Sequence, residues 1–141
     1  MRAAYIEETG TPDVIKVGDL PTPEPGPGQV LVRIGAAAIN PIDLYVRSGV
    51  VTMPMTFPYV IASDFAGTID KLGEGVKGHR VGDRVWGSNQ GLLGRTGVAS
   101  DYAAIDQEWL NPTPALLPDV DAAAMALVGI TAHLGLFRHG K

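Results

Sequence analysis

Four prolines fall within eight residues in the string Pro21-Thr22-Pro23-Glu24-Pro25-Gly26-Pro27-Gly28. A proline has no backbone donor, so this stretch cannot sit inside a sheet and must be a turn or a rigid connector. Directly after it, residues 30–39 are rich in β-branched and small apolar side chains and read as a strand. Upstream, residues 3–6 and 14–20 read as two earlier strands joined by the loop Glu8-Thr9-Gly10-Thr11-Pro12-Asp13. The first third of the chain is therefore β.

Residues 41–48 predict a short helix, with Asn40 as its N-cap, Pro41 at its first position and Gly49 at its end. Strands are expected over 65–72, 84–87 and 98–105, each entered or left through glycine, with turns at 73–75 and 78–82. After Pro118 the character changes. Asp119 or Asp121 can cap a helix and residues 122–127 are mostly strong helix formers; Gly129 interrupts the run, and helix resumes through Ala132, Leu134 and Phe137 until Gly140-Lys141. The 18 glycines and 11 prolines are punctuated by apolar runs and show no period, which favours many short strands. The expected class is mainly β with a few helices (α+β): a β-rich body over 1–120 and a helical exit over 121–141.

A chain of 141 residues with 45% apolar and 18% charged residues has the balance of one folded domain. Its net charge of −4 carries no basic stripe, so nucleic acid is not an expected partner. The sequence holds no cysteine, which excludes disulfides and thiolate nucleophiles and removes the usual ligand of structural zinc. His79, His133 and His139 make no metal spacing among themselves. With no apolar leader after Met1 and no segment read as approaching the roughly 20 apolar residues of a membrane span, no membrane contact and a cytoplasmic location are expected. Gly73-Glu74-Gly75-Val76-Lys77-Gly78 fits Gly-x-Gly-x-x-Gly, but it joins two β segments rather than a strand and a helix, so it is a chance match to a dinucleotide-binding turn.

Four blocks arrive in a recognisable order: Pro25-Gly26-Pro27-Gly28-Gln29-Val30-Leu31-Val32-Arg33-Ile34, Ile39-Asn40-Pro41-Ile42-Asp43, Ala62-Ser63-Asp64-Phe65-Ala66-Gly67, and Val81-Gly82-Asp83-Arg84-Val85. With Ile130-Thr131-Ala132 they resemble the N-terminal catalytic domain of the medium-chain dehydrogenase/reductase superfamily. The resemblance implies a GroES-like, partly open β-barrel with a helical connector, the Rossmann domain being absent from this chain. Zinc-dependent members have cysteine where this chain has Asn40 and a His-Glu pair where it has Ser63-Asp64, and they carry a four-cysteine lobe where residues 87–97 make a short connection. An amide and a hydroxyl are poor zinc ligands. The resemblance therefore narrows to the zinc-independent quinone oxidoreductase (zeta-crystallin-like) branch, whose motif Asn-Pro-x-Asp matches Asn40-Pro41-Ile42-Asp43.

That branch implies an enzyme transferring hydride from NADP(H) to a small-molecule quinone or α,β-unsaturated carbonyl without metal. The cofactor would be held mainly by a nucleotide-binding domain beyond these residues, in a parent that forms a homodimer, and the 141-residue form would be inactive alone. By resemblance, Asn40 and Tyr45 face the nicotinamide as catalytic and cofactor-binding groups, and Thr131 packs beside the same ring. The residues also carry plainer readings. Asn40 can serve only as a helix cap, its amide hydrogens staying free if its oxygen does the capping; Tyr45 can be a core aromatic; and Thr131 can bond back to a helical carbonyl. Asp64 and Gly67 read as structural, the acid fixing a turn through its own backbone. Asp43 reads as structural too, orienting Asn40 or Arg47 or favouring the helix N-terminus. Val51 and His133 stand where the branch often has tyrosine, which makes them substrate-side candidates. The alternatives are a stand-alone GroES-like binding or assembly module and, more distantly, a medium-chain enoyl reductase or an alcohol dehydrogenase.

Overall fold

In the computed structural model, which describes residues 1–140, strand β3 (Gln29–Ala38) is an interior strand of the larger of two sheets. Its residues Val30, Leu31 and Val32 are buried in succession, so this half of the strand is covered on both faces. Beyond Arg33 it alternates between exposed and half-buried positions, as a strand with one wet face does. The proline-rich string before it lies outside every strand.

The smaller sheet has the order β2-β1-β4, from β1 (Arg2–Ile6), β2 (Lys16–Asp19) and β4 (Tyr59–Val60). The larger has the order β7-β3-β5-β6-β8, adding β5 (Asp64–Leu72), β6 (Arg84–Gly87), β7 (Tyr102–Asp106) and β8 (Asn111–Pro112). Every pairing is antiparallel. The sheets are tied where Ala3 bridges Ser100 and Ala4 N–H donates to Ala99 O at 2.8 Å, and they do not close into a barrel. Val30, Val32, Phe65, Ile69, Val85 and Ile105 fill the larger core, each worth about 1.5–3 kcal/mol of apolar burial. A second core joins Ile6, Val46 and Tyr59 beneath helix α1 (Pro41–Ser48).

Helix α1 begins and ends where the sequence places it, with Asn40 ahead of Pro41 and Gly49 closing it at φ 81°, a left-handed conformation that glycine adopts without strain. Other boundaries differ. Residues 12–14 form a 3₁₀ turn, which shortens the second strand. Residues 98–101 are not strand: Val98 and Ala99 donate to carbonyls of residues 61 and 62, crossing beside the smaller sheet before β7 starts. Strands β4 and β8 are too short to leave a periodic signature, and Pro112 is tolerated because β8 is an edge strand.

Helix α2 (Asp119–His133) runs unbroken through Gly129 and continues as a π-helical turn over Leu134–His139. A Cβ at Gly129 would meet only the Met125 side chain, at 3.9 Å, so nothing there demands glycine and the neighbouring helix formers carry the backbone through it. Neither Asp119 nor Asp121 is the cap. Pro118 occupies that position, and the Asp119 carboxylate instead takes Arg84 at 2.5 Å. The sequence reading of membrane-span length also needs correction, because the continuous helix Asp119–His139 has 21 residues and contains an 18-residue window of mean hydropathy 1.7, long and apolar enough by length and composition to cross a bilayer. The expected end of helix at Lys141 lies outside the described residues.

Candidate functional site

The alanines of α2 decide how closely it can lie on the sheet. Ala122, Ala123 and Ala126 are buried, the first two against Ala66 of β5, and side chains this small let a polar group from the sheet reach the helix backbone. That group is Asp64. It opens β5 and is 1% exposed. Its Oδ2 accepts from Asn40 Nδ2 at 2.8 Å and from the Leu127 backbone N–H at 2.9 Å, and its Oδ1 accepts from Ser88 Oγ at 2.5 Å. None of these bonds returns to its own turn, contrary to the expected local role. They reach α1, α2 and the end of β6.

The strand that carries Asp64 is held in place by Gly67. A Cβ built there would lie 2.2 Å from the Arg33 carbonyl oxygen, so only glycine lets β3 and β5 approach as they do beside the register shift at Ile34/Ala36. On the other side, Asn40 and Asp43 form a capping box in which the Asp43 carboxylate accepts the Asn40 backbone N–H at 2.7 Å. Ser63 completes the circuit, accepting from Asn40 Nδ2 at 3.2 Å and donating to Asp43 Oδ2 at 3.1 Å. The Asn40 amide hydrogens are therefore engaged by Asp64 and Ser63, not free as the sequence reading has it.

Two buried carboxylates lie in this circuit, and among the described residues neither has an ion-pair partner. Burial pushes the Asp43 carboxyl above its ordinary 3.8, and the Asp64 charge adds to that, while the donated hydrogen bonds from Asn40 and Ser63 oppose it. Tyr59 packs nearby with its hydroxyl donating to the Gly91 carbonyl; burial first, and the Asp43 charge second, push it up to about 12. Among the described residues no group of three or more His, Cys, Asp or Glu is placed to hold a metal ion.

The site residues read from the sequence are only partly gathered. Tyr45 is not a core aromatic: it is 52% exposed on α1, and among the described residues its phenol makes no hydrogen bond. Val51 follows α1, its N–H donating to Tyr45 O at 3.1 Å, and it lines a groove of about 400 Å³ with Glu8, Thr9, Met53 and Met55. Thr131 lies on exposed α2 and bonds back to the Leu127 carbonyl at 2.9 Å. His133 lines a different groove of about 290 Å³ with Trp86 and Ile130, its ring 5.0 Å from that of Phe137. Val51 and His133 thus do not share a pocket. Ser88 and Leu127 were not legible as site members: one is a serine in a glycine-rich connection, and the other acts through its backbone.

Residues 26–115 match the alcohol dehydrogenase GroES-like domain. A quinone oxidoreductase of Rattus norvegicus is 32% identical over 100% of the chain, which spans 42% of that protein's length. A trans-enoyl reductase of Aspergillus flavipes is 34% identical over 93% of the chain and 39% of its own length. Among solved structures, the Escherichia coli quinone oxidoreductase complexed with NADPH superposes with a TM-score of 0.91 at 28% identity, over 99% of this chain and 41% of that one.

Proposed function

The chain belongs to the alcohol dehydrogenase GroES-like domain family, and from that premise we propose that it is the substrate-side domain of an NADP(H)-dependent reductase passing hydride to a quinone or an α,β-unsaturated carbonyl. The observation that carries this reading is the contrast between Tyr45 and Asn40. Tyr45 presents at the surface a phenol that is unbonded among the described residues, on a helix whose first turn is anchored by buried Asn40, Asp43, Ser63 and Asp64. A neutral donor on a fixed helix suits a reaction that builds negative charge on an acceptor oxygen.

When bound, the reduced nicotinamide supplies the hydride. The Tyr45 hydroxyl donates to the acceptor oxygen as its charge develops. Asn40 acts by position, since its amide hydrogens are engaged by Asp64 and Ser63, and it holds the turn from which Tyr45 projects. Thr131 keeps its oxygen lone pairs for the ring's substituents while its hydrogen goes to Leu127 O. No zinc enters this scheme: the Asn40 amide nitrogen is a hydrogen-bond donor here, and Asp64 is engaged by three donors. Val51 and His133 shape the acceptor and cofactor sides separately, as their two grooves suggest.

Residues 1–120 form the substrate-side body in this reading. Residues 121–140 lead toward a nucleotide-binding domain, to which Met125, Val128, Leu136 and Phe137 present an exposed apolar surface. The test is NADPH oxidation in the presence of a quinone and enone series, comparing the 141-residue chain with a protein that joins it to a nucleotide-binding half. Turnover is expected only from the joined form. Tight NADPH binding or quinone reduction by the 141-residue chain, or no turnover by either form, would overturn the reading.

A further inference from the structure

Leu127 lies in the middle of α2, where a helix offers its N–H only the carbonyl four residues back. Here the Asp64 carboxylate stands 2.9 Å from that N–H. The carbonyl of the same residue accepts the Thr131 hydroxyl at 2.9 Å, and the same carboxylate oxygen accepts the Asn40 amide at 2.8 Å. One continuous path therefore runs from Asn40 through Asp64 and the backbone of Leu127 to Thr131, spanning α1, the head of β5 and α2. We propose that Asp64 is a positioning residue that sets the separation of α1 and α2, and with it the spacing between Tyr45 on one helix and Thr131 on the other.

The proposal rests on the functional reading above for the meaning of that spacing, but the latch itself does not. Among the described residues nothing else polar ties the two helices: α1 meets Asp64 through the capping residue Asn40, and α2 meets it through a backbone group that no side-chain truncation in α2 removes. The alanine face of α2 supplies close contact without direction, because methyl groups slide, whereas a carboxylate accepting an N–H fixes one register.

The absence of native cysteine makes the separation directly measurable. Leu44→Cys and Val128→Cys, both half-exposed positions on α1 and α2, take a pair of spin labels in the otherwise unchanged 141-residue chain. With Asp64 intact, the distance distribution is expected to be narrow. In Asp64→Ala, and more mildly in Asp64→Asn, it should broaden and shift under conditions where the sheets remain folded. Amide exchange at Leu127 should quicken by about tenfold or more, the scale of a lost hydrogen bond to a charged group, while amides of β3 stay protected. Should Asp64→Ala not fold, the nearly isosteric Asp64→Asn decides. A merely stabilising role would lower the unfolding midpoint and leave the folded-state distance unchanged. An unchanged folded-state distance in Asp64→Ala, or in Asp64→Asn where the alanine variant does not fold, overturns the proposal whatever the Leu127 exchange rate. Failure of the functional reading shows separately, as absence of turnover in the joined protein with Asp64 intact.

Discussion

The Leu127 backbone N–H and the Asp64 carboxylate, 63 residues apart in sequence, meet at 2.9 Å in the interior of the domain. Asp64 also accepts from Asn40 and Ser88, so three donors depend on one buried side chain. Asp64→Ala strands all three, and at about 1–3 kcal/mol for each buried group left unsatisfied the loss should be about 3 kcal/mol or more. Asp64→Asn keeps one acceptor oxygen and should cost less. Urea unfolding midpoints at neutral pH measure both, and a loss below about 0.5 kcal/mol in Asp64→Ala would mean the network is not what holds these elements.

Gly67 makes a different kind of demand. A Cβ there would sit 2.2 Å from the Arg33 carbonyl oxygen, backbone against backbone, so relief requires β3 and β5 to part. Gly67→Ala should cost about 3 kcal/mol, the upper end of overpacking penalties, and should weaken amide protection on both strands. Gly135→Ala is the contrast: nothing lies within 4 Å of a Cβ built there, so its unfolding midpoint should hold or rise slightly.

Much of this was readable from the chain. Asn40-Pro41 and Gly49 marked both ends of α1 because capping is a local requirement, written in the residues that meet it. The proline-rich string set the start of β3 for the same reason. What escaped depends on contacts between distant residues. Gly129 looked like a break, yet its helix is continuous because the surrounding residues favour helix. Asp64 looked like a turn-former, because a sequence shows which acid precedes a glycine and not which backbone N–H, 63 residues on, will point at it. Alanines 122, 123 and 126 were legible as helix formers but not as the small face that lets this approach happen.

Tyr45 and Asn40 should both lose turnover on substitution but differ in what happens to stability. Tyr45 is half-exposed and its phenol is unbonded among the described residues, so Tyr45→Phe should change stability by no more than about 0.5 kcal/mol. In the joined protein it should lower quinone turnover by about a hundredfold, the scale of removing one donor from a developing oxyanion. Asn40→Ala should cost stability as well as turnover, since it removes donors to Ser63 and Asp64. Thermal midpoints and kcat on the same preparations separate the two. Equal turnover in Tyr45→Phe and wild type would remove the phenol from the mechanism.

Tyr59 gives the domain an alkaline limit whose sign follows from its surroundings. Burial, and then the Asp43 charge, raise its phenol from 10.0 to about 12 in the folded state, where its hydroxyl donates to Gly91 O. The unfolded chain therefore releases this proton first as pH rises. The stability contributed by neutral Tyr59 is fully present below pH 10 and is lost between there and about pH 12. One unit into that window, near pH 11, the loss is about 1.4 kcal/mol. Tyr59→Phe has no phenol to ionise, so its stability should fall less steeply than wild type over this range, even though it starts lower for want of the bond to Gly91. Asp43→Asn removes the second cause and should move the Tyr59 transition to lower pH, read as the difference in tyrosinate absorbance between chains with and without Tyr59. Parallel alkaline stability curves for wild type and Tyr59→Phe would show that the phenol ionises equally easily folded and unfolded, against the burial that the fold gives it.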